Sequence, residues 1–245
     1  MDSDPEKLKI VEAVEQSNAS TDIHDSTSPE DGKVIDGLTK VMHYSKENEP
    51  GVPQYAITVP RDESDEKSVF VIEEYILLSH SYQCLVPNSA RYANKTTLDA
   101  HMKTNVIQDL LKTFGSELLL EGNPQVYNLQ TLHVLTRPEA NRADSYIVFG
   151  IISYVKGKVA EGLPFWKAVF ETTKTDEPGS FGYCVCRDEE ENPDELYTVE
   201  VYESEKYLWD VHAKSHAVKA NMKTMHIREG LQRYFLKLVA GYFHK

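Results

Sequence analysis

Two segments of this chain, LDAHMKT and WDVHAKS, place one histidine each in the same setting, His101 and His212. Aspartate stands two positions before each histidine, and a hydroxyl residue, Thr104 or Ser215, three after it. An imidazole on the apolar face of a helix can act as a base near neutral pH or orient a phenol. The competing reading is a core histidine bonded to the hydroxyl one turn on. Two further segments, VFVIEEY and LYTVEVY, pair Glu73 with Tyr75 and Glu200 with Tyr202. Strand periodicity puts both members of each pair on one face. A pocket-facing glutamate would be desolvated and could serve as base with the phenol as donor, or it could pair with Arg61 or Arg187 on the neighbouring strand. The catalytic candidates are therefore His212, His101, Glu200 and Tyr202. Trp209, Trp166, Tyr197, Tyr183, Tyr75 and Glu73 are the residues expected to line a substrate pocket, with core packing as the alternative for the aromatics. His216 lies one turn beyond His212, but no third ligand accompanies them, so no metal site is expected.

These residues recur because the chain contains one pattern twice. EPGVPQYAITVPRDE begins at Glu49 and EPGSFGYCVCRDE at Glu177. Each copy then presents the Glu-x-Tyr strand and the histidine segment in the same order. From the strand's final tyrosine to the histidine is 10 residues in the second copy, Tyr202 to His212, and 26 in the first, Tyr75 to His101. The difference is an insertion at 76–95 carrying His80, Tyr82, Cys84, Arg91 and Tyr92, either a lid or a tolerated surface loop.

The elements that must position these residues follow from period. Tyr146–Val155 reads as a buried strand, and Leu163, Trp166, Val169 and Phe170 recur at helical spacing up to a Pro-Gly stop. Ile35, Leu38, Val41 and Met42 form the matching helix. Two strands follow, then an uninterrupted second helix with Leu208, Val211, His212, Ser215, Val218 and Met222 inward. Final strands are expected near Val126–Leu135 and Arg233–Phe243, and the first copy's opening strand at Lys9–Gln16. The order is β-α-β-β-α-β, a ferredoxin-like unit. The expected organisation is an acidic segment at 1–32, repeat 1 at 33–135, a linker at 136–143 and repeat 2 at 144–245.

Composition narrows the classes of function. With 26 basic and 39 acidic residues in 245, the net charge of −13 argues against binding a nucleic-acid backbone. An apolar fraction of 40% supports a core, while no apolar run approaches the length of a membrane-spanning helix. The acidic start MDSDPEKLKI differs from a secretory leader, and three cysteines supply no disulfide framework, so a cytoplasmic protein is expected. Cys184 and Cys186 share a strand face and read as small buried hydrophobes. Residues 206–245 hold 8 Lys and Arg against 2 Asp and Glu, a section that could attract an anionic substrate. The dinucleotide, phosphate-loop, HExxH and GxSxG motifs are missing.

The pattern EPG-x₃-Y, then R-D, then E-x-Y, then L/W-D-x-H-x-x-S/T resembles the antibiotic biosynthesis monooxygenase domain of the dimeric α+β barrel superfamily. The resemblance covers most of 33–135 and 144–245. It implies two ferredoxin-like repeats fused into one pseudo-dimeric α+β barrel, monomeric or further homodimeric. It also implies a cofactor-independent oxygenase that converts a phenolic, anthrone- or quinol-type aromatic with O₂, using no metal or flavin. The superfamily leaves open a non-catalytic binding or scaffold protein, an isomerase or cyclase of reactive intermediates, and haem binding through His101 or His212. The second repeat, denser in aromatics, is the expected seat of the chemistry.

Overall fold

The computed structural model describes residues 7–14, 32–65, 67–76, 90–117, 119–120 and 123–245, giving the backbone alone for 7–14 and 90–95. Cys84 and residues 77–89 of the insertion lie outside the described residues, and with them the lid reading. Two compact units result. One takes the chain to Tyr127, with Val239–Gly241 and Lys245; the other takes Asn128–Leu238 and Tyr242–His244.

The first unit contains β1 (Lys7–Val14), α1 (Lys33–Asn48), β2 (Gln54–Pro60), β3 (Ser68–Tyr75), α2 (Ala90–Met102) and α3 (Asn105–Glu117). Strand β3 is central, antiparallel to β1 on one side and β2 on the other. The strand β1 begins two residues before the expected Lys9, and Glu15 and Gln16 lie outside the described residues. Helix α1 buries Leu38, Val41 and Met42 as its period requires, with Val34 in place of the half-buried Ile35.

The second unit contains most of β4 (Gln125–Thr136), then β5 (Tyr146–Tyr154), α4 (Val159–Asp176), β6 (Ser180–Arg187), β7 (Glu195–Tyr202), α5 (Glu205–Asp210), α6 (His216–Met222) and most of β8 (Arg228–Tyr242). Its antiparallel sheet runs β8-β5-β7-β6-β4. The second repeat's four strands thus lie in ferredoxin-like order, fourth-first-third-second, and the fold is α+β. The strand that closes repeat 1 in sequence, β4, covers the otherwise unpaired edge of β6.

The second helix of this repeat is not uninterrupted. It stops at Asp210, passes through a 3-10 turn at His212–Lys214, and restarts at His216 with the Ser215 hydroxyl capping the Val218 amide. The break rotates the inward face: Leu208, His212, Ala217 and Asn221 are buried, while Val211 and Met222 are exposed. None of the described helices is long and apolar enough to cross a membrane.

Helix α4 lies over the sheet through Gly162, Trp166, Val169 and Phe170. The absence of a side chain at Gly162 is what admits the buried Tyr154 ring, since a Cβ there would stand 2.4 Å from its hydroxyl and 2.6 Å from its ring. Tyr154 in turn accepts the Trp166 indole N–H at 2.7 Å, which fixes the tryptophan. Alanine normally favours a helix over glycine by about 1 kcal/mol, but overpacking a rigid ring costs about 1–3 kcal/mol. Gly162→Ala is therefore expected to lower the free energy of unfolding in urea and to shift the tryptophan emission.

Candidate active site

The site is built from the Glu-Pro-Gly turn. A residue preceding proline is disfavoured in helical conformation, so α4 ends at Asp176 and α1 at Asn48. The glutamate becomes the C-terminal cap of the helix with non-helical backbone, φ −118° and ψ 79° at Glu177, φ −119° and ψ 81° at Glu49. The glycine lets the next element close in: a Cβ on Gly179 would stand 2.4 Å from the Tyr207 ring, and one on Gly51 2.8 Å from Thr97. Each turn thereby delivers a carboxylate to the histidine that follows. Glu177 Oε2 lies 2.7 Å from His212 Nδ1, and Glu49 Oε2 lies 2.8 Å from His101 Nδ1. The Ser180 and Ser45 hydroxyls donate to the same carboxylates at 3.0 and 2.6 Å.

This corrects the expectation that each histidine ring bonds the hydroxyl one turn on. The Thr104 hydroxyl donates to the His101 carbonyl, and Ser215 is a helix cap. The two glutamates were visible as repeated residues, but their Pro-Gly context reads as a helix stop rather than as a site. Where the carboxylate is the acceptor, Nδ1 carries the proton and Nε2 is the basic nitrogen.

Glu73 and Glu200 accept the Tyr75 and Tyr202 hydroxyls, the latter at 2.7 Å, and Arg187 pairs with Glu189; the expected glutamate–arginine pairing is not formed at Glu200. Rings of Tyr183 and Tyr202 flank His212, with centroids 5.5 and 5.1 Å away; Tyr55 and Tyr75 flank His101 at 6.3 and 5.4 Å. Burial, reinforced by the charge of Glu200, holds Tyr183 and Tyr202 well above the ordinary phenol pKa. Burial and the charge of Glu73 do the same for Tyr75. Burial alone would raise the Glu49 carboxyl, but hydrogen bonds from His101 and Ser45 outweigh it and hold it below the usual range.

The two copies differ in what lies beyond the imidazole. His212 lines a cavity of about 90 Å³ together with Glu200, Trp166 and Trp209. Trp209 and Met222 also line it and are exposed, so the cavity reaches solvent there. His101 is 1% exposed, and its Nε2 is buried with no hydrogen-bond partner among the described residues. Tyr183 and Tyr202 stand against His212 and do not line the cavity. Tyr197 lies on the opposite face of β7, where it stacks on Phe149 and donates to Glu195. Tyr75 and Glu73 belong to the first unit. The sulfurs of Cys184 and Cys186 are buried 3.2 Å apart on one face of β6. Among the described residues no cluster of three His, Cys, Asp or Glu could hold a metal ion. A cavity of roughly 150 Å³ takes a benzene, so this one encloses only part of an aromatic ring, the rest lying toward its mouth.

The model of the antibiotic biosynthesis monooxygenase family matches residues 146–224, from β5 to just beyond α6, so the second repeat carries a domain of this kind. No curated protein matches the chain. Among solved structures, a candidate monooxygenase of Fusobacterium nucleatum has a TM-score of 0.73 at 13% identity, over 97% of this chain and 94% of that one. A candidate monooxygenase of Lactobacillus acidophilus has a TM-score of 0.71 at 16% identity, over 97% and 95%. An anthrone oxidase-like protein has a TM-score of 0.59 at 12% identity, over 98% and 93%. Identities this low establish the fold.

Because Tyr75, Tyr183 and Tyr202 are held neutral by the fold, their contribution to stability is complete below the unfolded phenol pKa near ~10. It is lost as pH rises from there toward the folded values. An alkaline titration followed by near-ultraviolet absorbance is expected to leave these three phenols un-ionised until the protein unfolds. Gradual ionisation of all 14 tyrosines in the still-folded protein would contradict this packing.

Proposed function

We propose that this chain is a cofactor-independent oxygenase acting on a single-ring phenol or quinol with O₂, and that the second repeat performs the chemistry. One observation carries the reading: Glu177 occupies Nδ1 of His212, and the ring lines an apolar cavity that opens to solvent. The Nε2 nitrogen is then available to remove the proton of a bound hydroxyl. Glu177 fixes the tautomer and stabilises the imidazolium that results, as a buried carboxylate beside a general base does.

The phenolate is electron-rich and passes an electron to O₂. The two radicals combine at the ring carbon opposite the hydroxyl, forming a C–O bond. Loss of that carbon's proton and of the outer oxygen as hydroxide breaks the O–O bond and gives a quinone and water. The substrate phenol plus O₂ thus equals quinone plus H₂O; a quinol, already oxygenated at that carbon, instead gives its second hydrogen atom to the superoxide and yields quinone plus H₂O₂. The imidazolium proton returns to the departing hydroxide. Trp166, Val169 and Leu208 supply a dry surface for the ring, and Glu200, already bonded to Tyr202, supports the wall beside His212.

The first repeat repeats the pair of glutamate and histidine, but its imidazole is enclosed, and we assign it a structural role. Oxygen-electrode assays with monocyclic phenols and quinols are expected to show O₂ uptake matched by quinone formation. His212→Ala should reduce kcat by about a hundredfold or more, and Glu177→Gln should reduce kcat with little change in KM. Absence of turnover above the uncatalysed rate across such a panel overturns the enzyme reading. Product without O₂ uptake would assign an isomerase or cyclase instead.

A further inference from the structure

The proposed chemistry uses neither of the two arginines that line the same cavity. Arg228, the first residue of β8, lies over the Trp166 ring at 5.4 Å and the Tyr154 ring at 5.7 Å. It donates to the Asn221 side chain, and to the Thr224 hydroxyl at 2.9 Å. Its Nε is nevertheless buried with no hydrogen-bond partner among the described residues. Arg233 lines the cavity one strand over from its floor. The floor is Gly150, which pairs with Arg233 on β8 and with Thr198 on β7. A Cβ at Gly150 would stand 2.6 Å from the Thr198 hydroxyl, so the position has no room for a side chain. The Arg233 side chain forms no hydrogen bond or ion pair with any described residue. Against these two cations the lining offers one carboxylate, Glu200, already engaged by Tyr202. The cavity lining therefore holds more cations than carboxylates, two arginines against Glu200.

We infer that the substrate is an aromatic anion: a single-ring phenol bearing a carboxylate, the ring against Trp166 and the carboxylate taken by Arg233 and Arg228. A guanidinium matches a carboxylate through two parallel N–H donors, and the exposed position of Arg233 makes that bond sensitive to salt. The oxidation proposed above requires a free ring position opposite the hydroxyl, so the carboxylate stands beside or one removed from the hydroxyl. This assignment rests on the cavity being the substrate site, but it is a statement about binding and is separable from oxygen chemistry.

Both tryptophans of the chain line the cavity, so intrinsic fluorescence reports occupancy directly. The probes are 3-hydroxybenzoate and its neutral isostere 3-hydroxybenzamide, titrated into the 245-residue chain with calorimetry as a second readout. The acid is expected to bind at least about tenfold more tightly than the amide, with only the acid weakened by added salt. Arg233→Gln should bring the ratio close to one while leaving amide affinity unchanged, and Arg233→Lys should restore part of the preference. Arg233 is exposed and bonded to nothing described, which keeps both variants foldable. Equal affinity for acid and amide, no binding of either, or a ratio unchanged in Arg233→Gln overturns the inference. Preferential binding of the acid with no O₂ uptake across the panel of phenols and quinols upholds it and overturns the oxygenase reading; equal binding accompanied by O₂ uptake does the reverse.

Discussion

The hydrogen bond from Glu177 to His212 is the contact around which the second repeat is organised. It joins the end of one helix to the break in another, and both irregularities exist to make it. A carboxylate taken out of water costs several kcal/mol unless its hydrogen bonds are supplied; here His212 and Ser180 both serve Oε2, while Oε1 is buried with no partner among the described residues. The proline ends α4 so that Glu177 leaves the helical path. The glycine lets the Tyr207 ring close against the turn, where its hydroxyl accepts the Gly179 amide N–H at 3.1 Å. The interruption at 212–214 turns His212 inward while Val211 stays out.

The same device, built twice, is capped twice by a cation that follows a repeat's last strand. Arg137, just after β4, donates to the carbonyls of Lys174, Glu177 and Ser180 at 2.7–2.9 Å. Lys245, at the end of the chain, donates to the carbonyls of Ser45 and Glu49 at 2.8 and 2.9 Å. Positive charge at a helix C-terminus answers the orphan carbonyls and the dipole together. Residue 137 lies in what the sequence alone presents as a linker, and its side chain is instead part of the support beneath the glutamate.

Much of this was legible in the linear chain. Repetition singled out the histidines and the Glu-x-Tyr strands, and period placed α1, α4 and the strands within a few residues. What escaped shares one cause: a residue with an evident local role hides its distant one. Glu49 and Glu177 sit in a turn signal, so their side chains drew no separate assignment. Arg228 precedes the periodic stretch expected to begin at Arg233, so neither arginine was tied to the cavity. Glu200 had two plausible partners in sequence, and the choice of Tyr202 over Arg187 depends on a strand geometry that also sends Arg187 to Glu189. The second helix misled for a local reason as well. Its apolar residues continue at helical spacing through Ser215, which helix propensity alone does not forbid but which packing uses as a cap.

By itself the sequence determined the α+β class, the duplication and the chemical alphabet of the site, because each rests on periodicity or on a residue type recurring in order. It could not determine what lies beyond either imidazole. His101 and His212 occupy equivalent motifs with equivalent glutamates, and the exchange of Leu98 for Trp209 does not by itself set a cavity against one ring. That difference comes from non-local packing: Gly150 left bare between Thr198 and Arg233, α4 held off by Tyr154 and Trp166, and a broken helix that leaves Trp209 and Met222 at the cavity mouth. Cavity volume is a sum over elements distant in the chain, so only the tertiary structure decides it.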